Sequence, residues 1–253
     1  MSAFFAAYRN ERDKILLRKK YIVFLIIGAV ICILWAVLGN IASNAIGQAS
    51  GGLRIMLTPS PMGVLPFFLQ MLLPLLIFMG VTDLITTEGA EHTMKAMIYR
   101  PVERWKLYAA KLMAVMTYVT IYLATVFVLS AILNQLLGRG LSMTGLVEAL
   151  ASYALTIPTL AVLASFAALV ALFGRSGSLV MFLLVVMYLA MSVLTVVFPI
   201  LSELLFTSYL GWYRLWIGVL PDASRLLHML AIVVGYGLVF FMAGSLVFDR
   251  KEY

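Results

Sequence analysis

Six stretches of this chain run 23 or more residues without a single Asp, Glu, Lys or Arg, and together they make up most of its 253 residues. They cover 21–53, 55–82, 112–138, 149–174, 176–202 and 226–248. A helix needs about 20 apolar residues to cross the hydrocarbon core of a bilayer, more than an ordinary buried helix uses. Lipid offers backbone amides no partner, so each stretch has to close its own hydrogen bonds as a helix. The expected fold class is therefore an all-α integral membrane protein with six transmembrane helices.

Only 11% of the residues are charged and mean hydropathy is +1.06. Soluble domains carry roughly 25% charged residues, which leaves no room for a water-facing domain. The expected organisation is one transmembrane domain over 1–253. It carries an amphipathic surface helix at 1–20, a cytosolic segment at 83–111 and an outer membrane-associated segment at 203–225.

The basic residues set the orientation. With the amino terminus in the cytosol, 14 of the 18 Lys and Arg fall on that side, and only Arg54, Arg139, Arg214 and Arg225 fall outside. The positive-inside bias then makes both termini cytosolic. The net charge of +7 reflects this retention signal and attraction to anionic lipid rather than a nucleic-acid partner, because the basic residues are divided among short segments. No cleavable signal peptide is visible before the first apolar run.

At 100° per residue Phe4, Phe5, Tyr8, Ile15 and Leu16 share one side of the amino-terminal helix, with Arg12 and Lys19 intruding on it. The second span contains Pro66 and Pro74 with Gln70 between them. Proline bends a helix, and an amide at that depth should face protein or a water-filled path. The loop joining spans 4 and 5 is so short that those spans should be antiparallel neighbours. In 203–225 the aromatics Tyr209, Trp212, Tyr213 and Trp216 fit either short helices entering the outer leaflet or an ordinary aromatic belt.

Several chemistries find no support. His92 and His228 fall on opposite sides of the membrane, HExxH is missing, and Cys32 is the single cysteine, so neither a metal nor a catalytic residue is expected. No lysine follows a glycine, which excludes a phosphate-cradling GxxxxGK[ST] loop. Every charged side chain lies near an expected membrane edge, so a pump built this way draws its energy from another subunit.

The segment 83–111 carries the strongest signal. A short helix fits 90–98, with Met94, Met97 and Ile98 on one face, and Met suits a surface that repacks against a moving partner. Arg100–Pro101 should end it, and Pro101 then suits the start of a second helix leading into span 3. Trp105 and Tyr108 should anchor that helix at the interface. The result is a helix–turn–helix ledge, unless the segment is a plain connection.

This segment resembles the coupling region of type-2 ABC transporter permeases, the six-span exporter class that includes lantibiotic-immunity and antibiotic-resistance permeases. Glu88, Thr93, Pro101, Val102, Arg104 and Lys111 match that pattern in order and spacing, while His92 and Glu103 replace its glycine and serine. The resemblance implies the permease subunit of an ATP-driven exporter of a hydrophobic or amphipathic substrate, such as a peptide toxin or drug. It implies a second permease copy or relative, two separate ATPase subunits that hold the ATP and Mg, and a bacterial cell membrane. On that reading Glu88, Thr93, Met94, Met97, Ile98, Arg100, Pro101 and Arg104 couple to the ATPase, and Pro66, Gln70 and Pro74 border the substrate path. A non-transporting membrane partner of an ATPase and an intramembrane enzyme are the competing functions.

Overall fold

The computed structural model of the chain describes residues 3–45, 60–90, 103–137, 142–198, 200, 204–216 and 223–251. Among them there is helix and connecting turn but no strand. Six helices are long and apolar enough to cross a membrane: Lys19–Ile41, Pro61–Thr87, Arg104–Leu136, Met143–Phe173, Gly177–Val197 and Leu227–Arg250. These are spans 1 to 6, and each coincides with one of the charge-free stretches. At 1.5 Å per residue, 21 residues already cover about 30 Å, the thickness of the hydrocarbon core.

The amino-terminal helix, Ala3–Leu17, breaks at Arg18, and span 1 starts at once from Lys19. Its inner face is formed by Glu11 and Ile15, both fully buried, and it runs along the near end of span 3. The Tyr8 hydroxyl meets Thr117 Oγ1 at 2.8 Å, inside the charge-free part of span 3.

Span 2 is the most irregular. It comprises a helix at Pro61–Phe67, a π turn at Phe68–Leu72, a helix at Leu73–Val81 and a second π turn at Thr82–Thr87. Proline explains the first break: Pro74 has no N–H for the carbonyl one turn back, and the Leu73 N–H reaches Phe68 O instead. Despite this span 2 is well buried, with Leu65, Phe68, Leu73, Leu76 and Ile77 inaccessible. Spans 3 and 4 surround it, joined by tyrosines, and the Tyr153 hydroxyl donates to Pro61 O at 3.0 Å.

Spans 4 and 5 are antiparallel neighbours across the Gly174–Gly177 turn. A Cβ on Gly174 would collide with Val180, and one on Gly177 would lie 2.7 Å from Thr87 Oγ1, so glycine lets the turn close onto the exit of span 2. The aromatic segment before span 6 forms a 3-10 helix at Phe206–Trp216. Phe206, Tyr209, Trp212 and Tyr213 are buried against protein rather than spread as a belt. Trp212 Nε1 donates to Leu155 O at 2.5 Å, about 18 Å along span 4 from its start.

Candidate functional site

Of the residues expected to meet a motor subunit, Thr93, Met94, Met97, Ile98, Arg100 and Pro101 lie outside the described residues. Glu88 and Arg104, which flank them, are well placed. Glu88 follows the second π turn directly and is 4% exposed. Arg104 opens the long helix of span 3, so the second helix of the ledge and the span are one rod.

Among the described residues Glu88 belongs to a ring of four charges. Lys111 Nζ donates to Glu88 Oε2 at 2.6 Å and to Glu11 Oε2 at 3.0 Å. Lys14 Nζ donates to the remaining oxygens, Glu88 Oε1 at 2.8 Å and Glu11 Oε1 at 3.1 Å. Two lysines thus bridge two carboxylates, and three chain segments meet: the amino-terminal helix, the exit of span 2 and the start of span 3. Lys111 and Glu11 are at most 1% exposed, so each would be costly to bury unpaired. Burial by itself would raise the Glu88 carboxyl. The charge and hydrogen bond of Lys111, joined by those of Lys14, outweigh it and hold that carboxyl below the usual carboxylate range.

A second clasp lies one π turn earlier. Asp83 Oδ2 accepts from the Tyr21 hydroxyl at 2.6 Å, pairs with Lys20, and lies 3.7 Å from Arg18 Nη1. The Tyr118 hydroxyl of span 3 donates to Tyr21 O at 2.6 Å. Both carboxylates at the exit of span 2 are therefore tied to the amino-terminal helix or to the joint behind it. The backbone between them is itself pinned. Thr86 Oγ1 donates to Ala171 O of span 4 at 3.0 Å, and Thr87 Oγ1 reaches back to Thr82 O at 3.2 Å. π turns inserted in α-helices occur often at functional positions, where they shift side-chain register without breaking the rod.

Arg104 turns the other way. Its Nη1 donates to Asp249 O at 2.6 Å and Lys251 O at 3.4 Å, tying the start of span 3 to the end of span 6. Trp105 is half exposed, as an interfacial anchor would be, but Tyr108 is fully buried. Its ring lies 5.6 Å from Phe241 and 5.6 Å from Phe248 of span 6, and its hydroxyl lies against Gly244. The expected pairing of Trp105 and Tyr108 as anchors is thus corrected for Tyr108. Lys106, two positions earlier, pairs with Glu103 at the surface, and the helical period puts Tyr108 on the opposite side of the helix, toward span 6 rather than toward the membrane surface.

Pro66, Gln70 and Pro74 do not converge on one cavity. Pro74 is buried, Pro66 is partly buried and the Gln70 side chain is exposed on the outside of this chain. The Gln70 carbonyl, which the missing Pro74 N–H leaves open, accepts from the Tyr188 hydroxyl of span 5 at 2.9 Å. One turn earlier, Phe67 packs against Trp35 of span 1 with ring centroids 5.3 Å apart. Among the described residues, no three of His, Cys, Asp and Glu gather where a metal ion could be held.

Sequence reasoning missed Glu11 and Lys14. Their spacing, i and i+3 on a basic amphipathic helix, looks like an exposed pair. The one available signal was Lys111, a lysine at the very start of the charge-free stretch of span 3.

Comparison with known families adds one finding. The ABC-2 family transporter protein profile matches residues 9–180, which include the second half of the amino-terminal helix, the ionic ring and spans 1 to 4 in full. Among curated proteins the comparison finds no match. The chain belongs to the ABC-2 family of transporter proteins: it is a multi-pass membrane permease of an ABC transporter.

Proposed function

We propose that this ABC-2 permease exports a hydrophobic or amphipathic substrate, a peptide toxin or drug, across a bacterial cell membrane by alternating access. Family membership implies an ABC ATPase partner. In this proposal two ATPase subunits bind and hydrolyse ATP with Mg, and two permease chains form the passage between them. Met94, Met97 and Ile98 seat in the ATPase, Thr93 and Arg100–Pro101 shape the turn that presents them, and no residue of this chain is catalytic. With the amino terminus in the cytosol, the ionic ring lies on the motor side.

One observation carries the reading. The segment that would meet the motor is rooted at Glu88, and Glu88 is bonded through Lys111 and Lys14 to span 3 and to the amino-terminal helix. A displacement of that root moves three segments together. Arg104 passes the same motion to the end of span 6. Such coupling shifts a two-state equilibrium only if the ATPase binds the two states with different affinity, and closure on ATP supplies that difference. Gln70 supports a path between chains, since its side chain faces outward from this one. The scarcity of charge within the spans suits an apolar cargo better than an ionic one.

The test is co-expression with a soluble Walker-loop ATPase, which this proposal expects to be encoded beside the gene. Met94→Glu or Met97→Glu should abolish co-purification. Lys111→Met/Glu88→Gln should leave the complex intact but uncouple ATP hydrolysis from transport in proteoliposomes. Transport by the purified chain without nucleotide, or a complex indifferent to both Met94→Glu and Met97→Glu, would refute the proposal.

A further inference from the structure

A groove of about 460 Å³ opens where the ends of spans 4 and 6 meet the 4–5 turn, on the same end of the bundle as the ionic ring. Its charged wall is Arg175, Arg250 and Lys251, and its apolar floor includes Phe173 and Val247. Among the described residues no acidic side chain lines it. Arg104 adds a fourth cation at the rim through its bond to Lys251 O. The neighbouring acid, Asp249, forms no ion pair with Arg175 or Arg250 among the described residues. Both arginines are exposed, whereas Lys251 is fixed in the wall by donating to Leu172 O at 2.5 Å.

The position of the groove narrows the ligand further. The charge-free stretches of spans 4 and 6 end at Gly174 and Phe248, so the groove sits at headgroup level. The Phe173 side of the floor is 72% exposed, an apolar surface that a soluble anion would leave wet. The site thus offers cations to one end of a ligand and hydrocarbon to the other. Basic pockets between helix ends on the cytosolic side are suited to anionic lipid headgroups.

We infer that this groove binds the phosphate headgroup of an anionic glycerophospholipid from the adjoining leaflet, with Arg175 and Arg250 on the phosphate and Phe173 against the first methylenes. A lipid held there bridges the 4–5 turn to the end of span 6, beside the span 4 carbonyl that accepts from Thr86. The inference rests on the proposed orientation only for which leaflet supplies the lipid, and it is read on the isolated chain without ATPase or transport.

The test uses the purified full chain in neutral detergent, probed by native mass spectrometry with phosphatidylglycerol, phosphatidylcholine, glycerol 1-phosphate and inorganic phosphate. A phosphatidylglycerol adduct should form in preference to phosphatidylcholine. Arg175→Gln/Arg250→Gln should weaken it roughly 30-fold, at the usual increment for two surface cations. Arg175→Lys/Arg250→Lys should retain it. In a Phe173→Trp variant, brominated phosphatidylglycerol should quench the indole and brominated phosphatidylcholine should not. Equal binding by the glutamine variant, or equal binding of the two lipids, would overturn the inference. Displacement by glycerol 1-phosphate or inorganic phosphate at matched concentration would assign the groove to a soluble anion. Displacement by the ATPase subunit would make it a protein-docking surface.

Discussion

The two irregular regions of span 2 bury polar groups in opposite ways. At its exit, Asp83 and Glu88 carry full charges and are matched by Lys14, Arg18, Lys20 and Lys111. Near its middle, Pro74 leaves a carbonyl open and a neutral tyrosine hydroxyl closes it. The first join is multivalent and directional, and no member can leave without stranding a charge. The second is a single bond between two helices. A rod gripped at one end and lightly held at its bend is suited to transmit a push and to flex where the push arrives.

That contrast predicts its largest effect at Lys111. Lys111→Met leaves Glu88 and Glu11 with Lys14 as their one remaining cation among the described residues. Breaking a buried charge network by removing one partner typically costs about 3–5 kcal/mol, which should appear as a clear drop in the melting temperature in detergent. Lys111→Met/Glu88→Gln removes one charge of each sign and leaves the Glu11–Lys14 pair, so it should recover most of that loss. If the double variant melts as low as the single one, the ring is not acting as a balanced unit. The pH dependence follows from the direction of the Glu88 shift. A depressed folded pKa gives stability that is complete above the ordinary carboxylate range and is lost as pH falls through the folded value. Melting should be flat from about pH 6 to 8 and fall on the acid side, less steeply in Glu88→Gln.

Much of the architecture was legible because lipid punishes the alternatives: unbroken apolar runs have to be helices, and six runs gave six spans. Glu88 and Arg104 were legible as the edges of an unusual segment. What stayed hidden was long-range pairing. Nothing in one chain says that Glu11 meets Lys111 across 100 positions, because i, i+3 charges on a basic helix look the same whether solvated or buried. Tyr108 misled for a related reason. An aromatic near a membrane edge is indistinguishable in sequence from one turned toward Gly244. The burial of Trp212 beside Leu155 was likewise open, since an aromatic belt and an inserted segment share a composition.

A smaller effect is expected where spans 1 and 3 pack side by side, beyond the Tyr118–Tyr21 bond. Gly28 of span 1 faces the Tyr122 hydroxyl so closely that a Cβ there would overlap it. Tyr122 is 1% exposed and wedged by Phe68 at 6.0 Å and Tyr118 at 6.4 Å, so it has little room to retreat. Gly28→Ala should cost about 1–3 kcal/mol, as overpacking does. The Tyr122 hydroxyl has no partner among the described residues, but a Cβ at position 28 would also lie 2.6 Å from Cζ of the ring, so Tyr122→Phe should relieve only part of that cost in the double variant. A complete rescue would mean that the hydroxyl alone, and not the ring behind it, sets the distance of span 1.

The smallest expected change in stability tests the light end of the comparison. Tyr188→Phe removes the hydroxyl that closes the Gln70 carbonyl and keeps the ring, which lies 6.0 Å from Phe78. Interhelical hydrogen bonds in membranes average about 0.6 kcal/mol, partly because a freed group finds another partner. The melting temperature should therefore hardly move. Transport should respond more than stability does, because the bond restrains the bend beside Pro74, and a looser bend alters how far a motion at Glu88 travels along span 2. Measured side by side in proteoliposomes, Tyr188→Phe should change the ratio of substrate moved to ATP hydrolysed while leaving the complex assembled. A loss of stability as large as that of Lys111→Met would instead make both regions rigid, and the bend could no longer be the place where span 2 flexes.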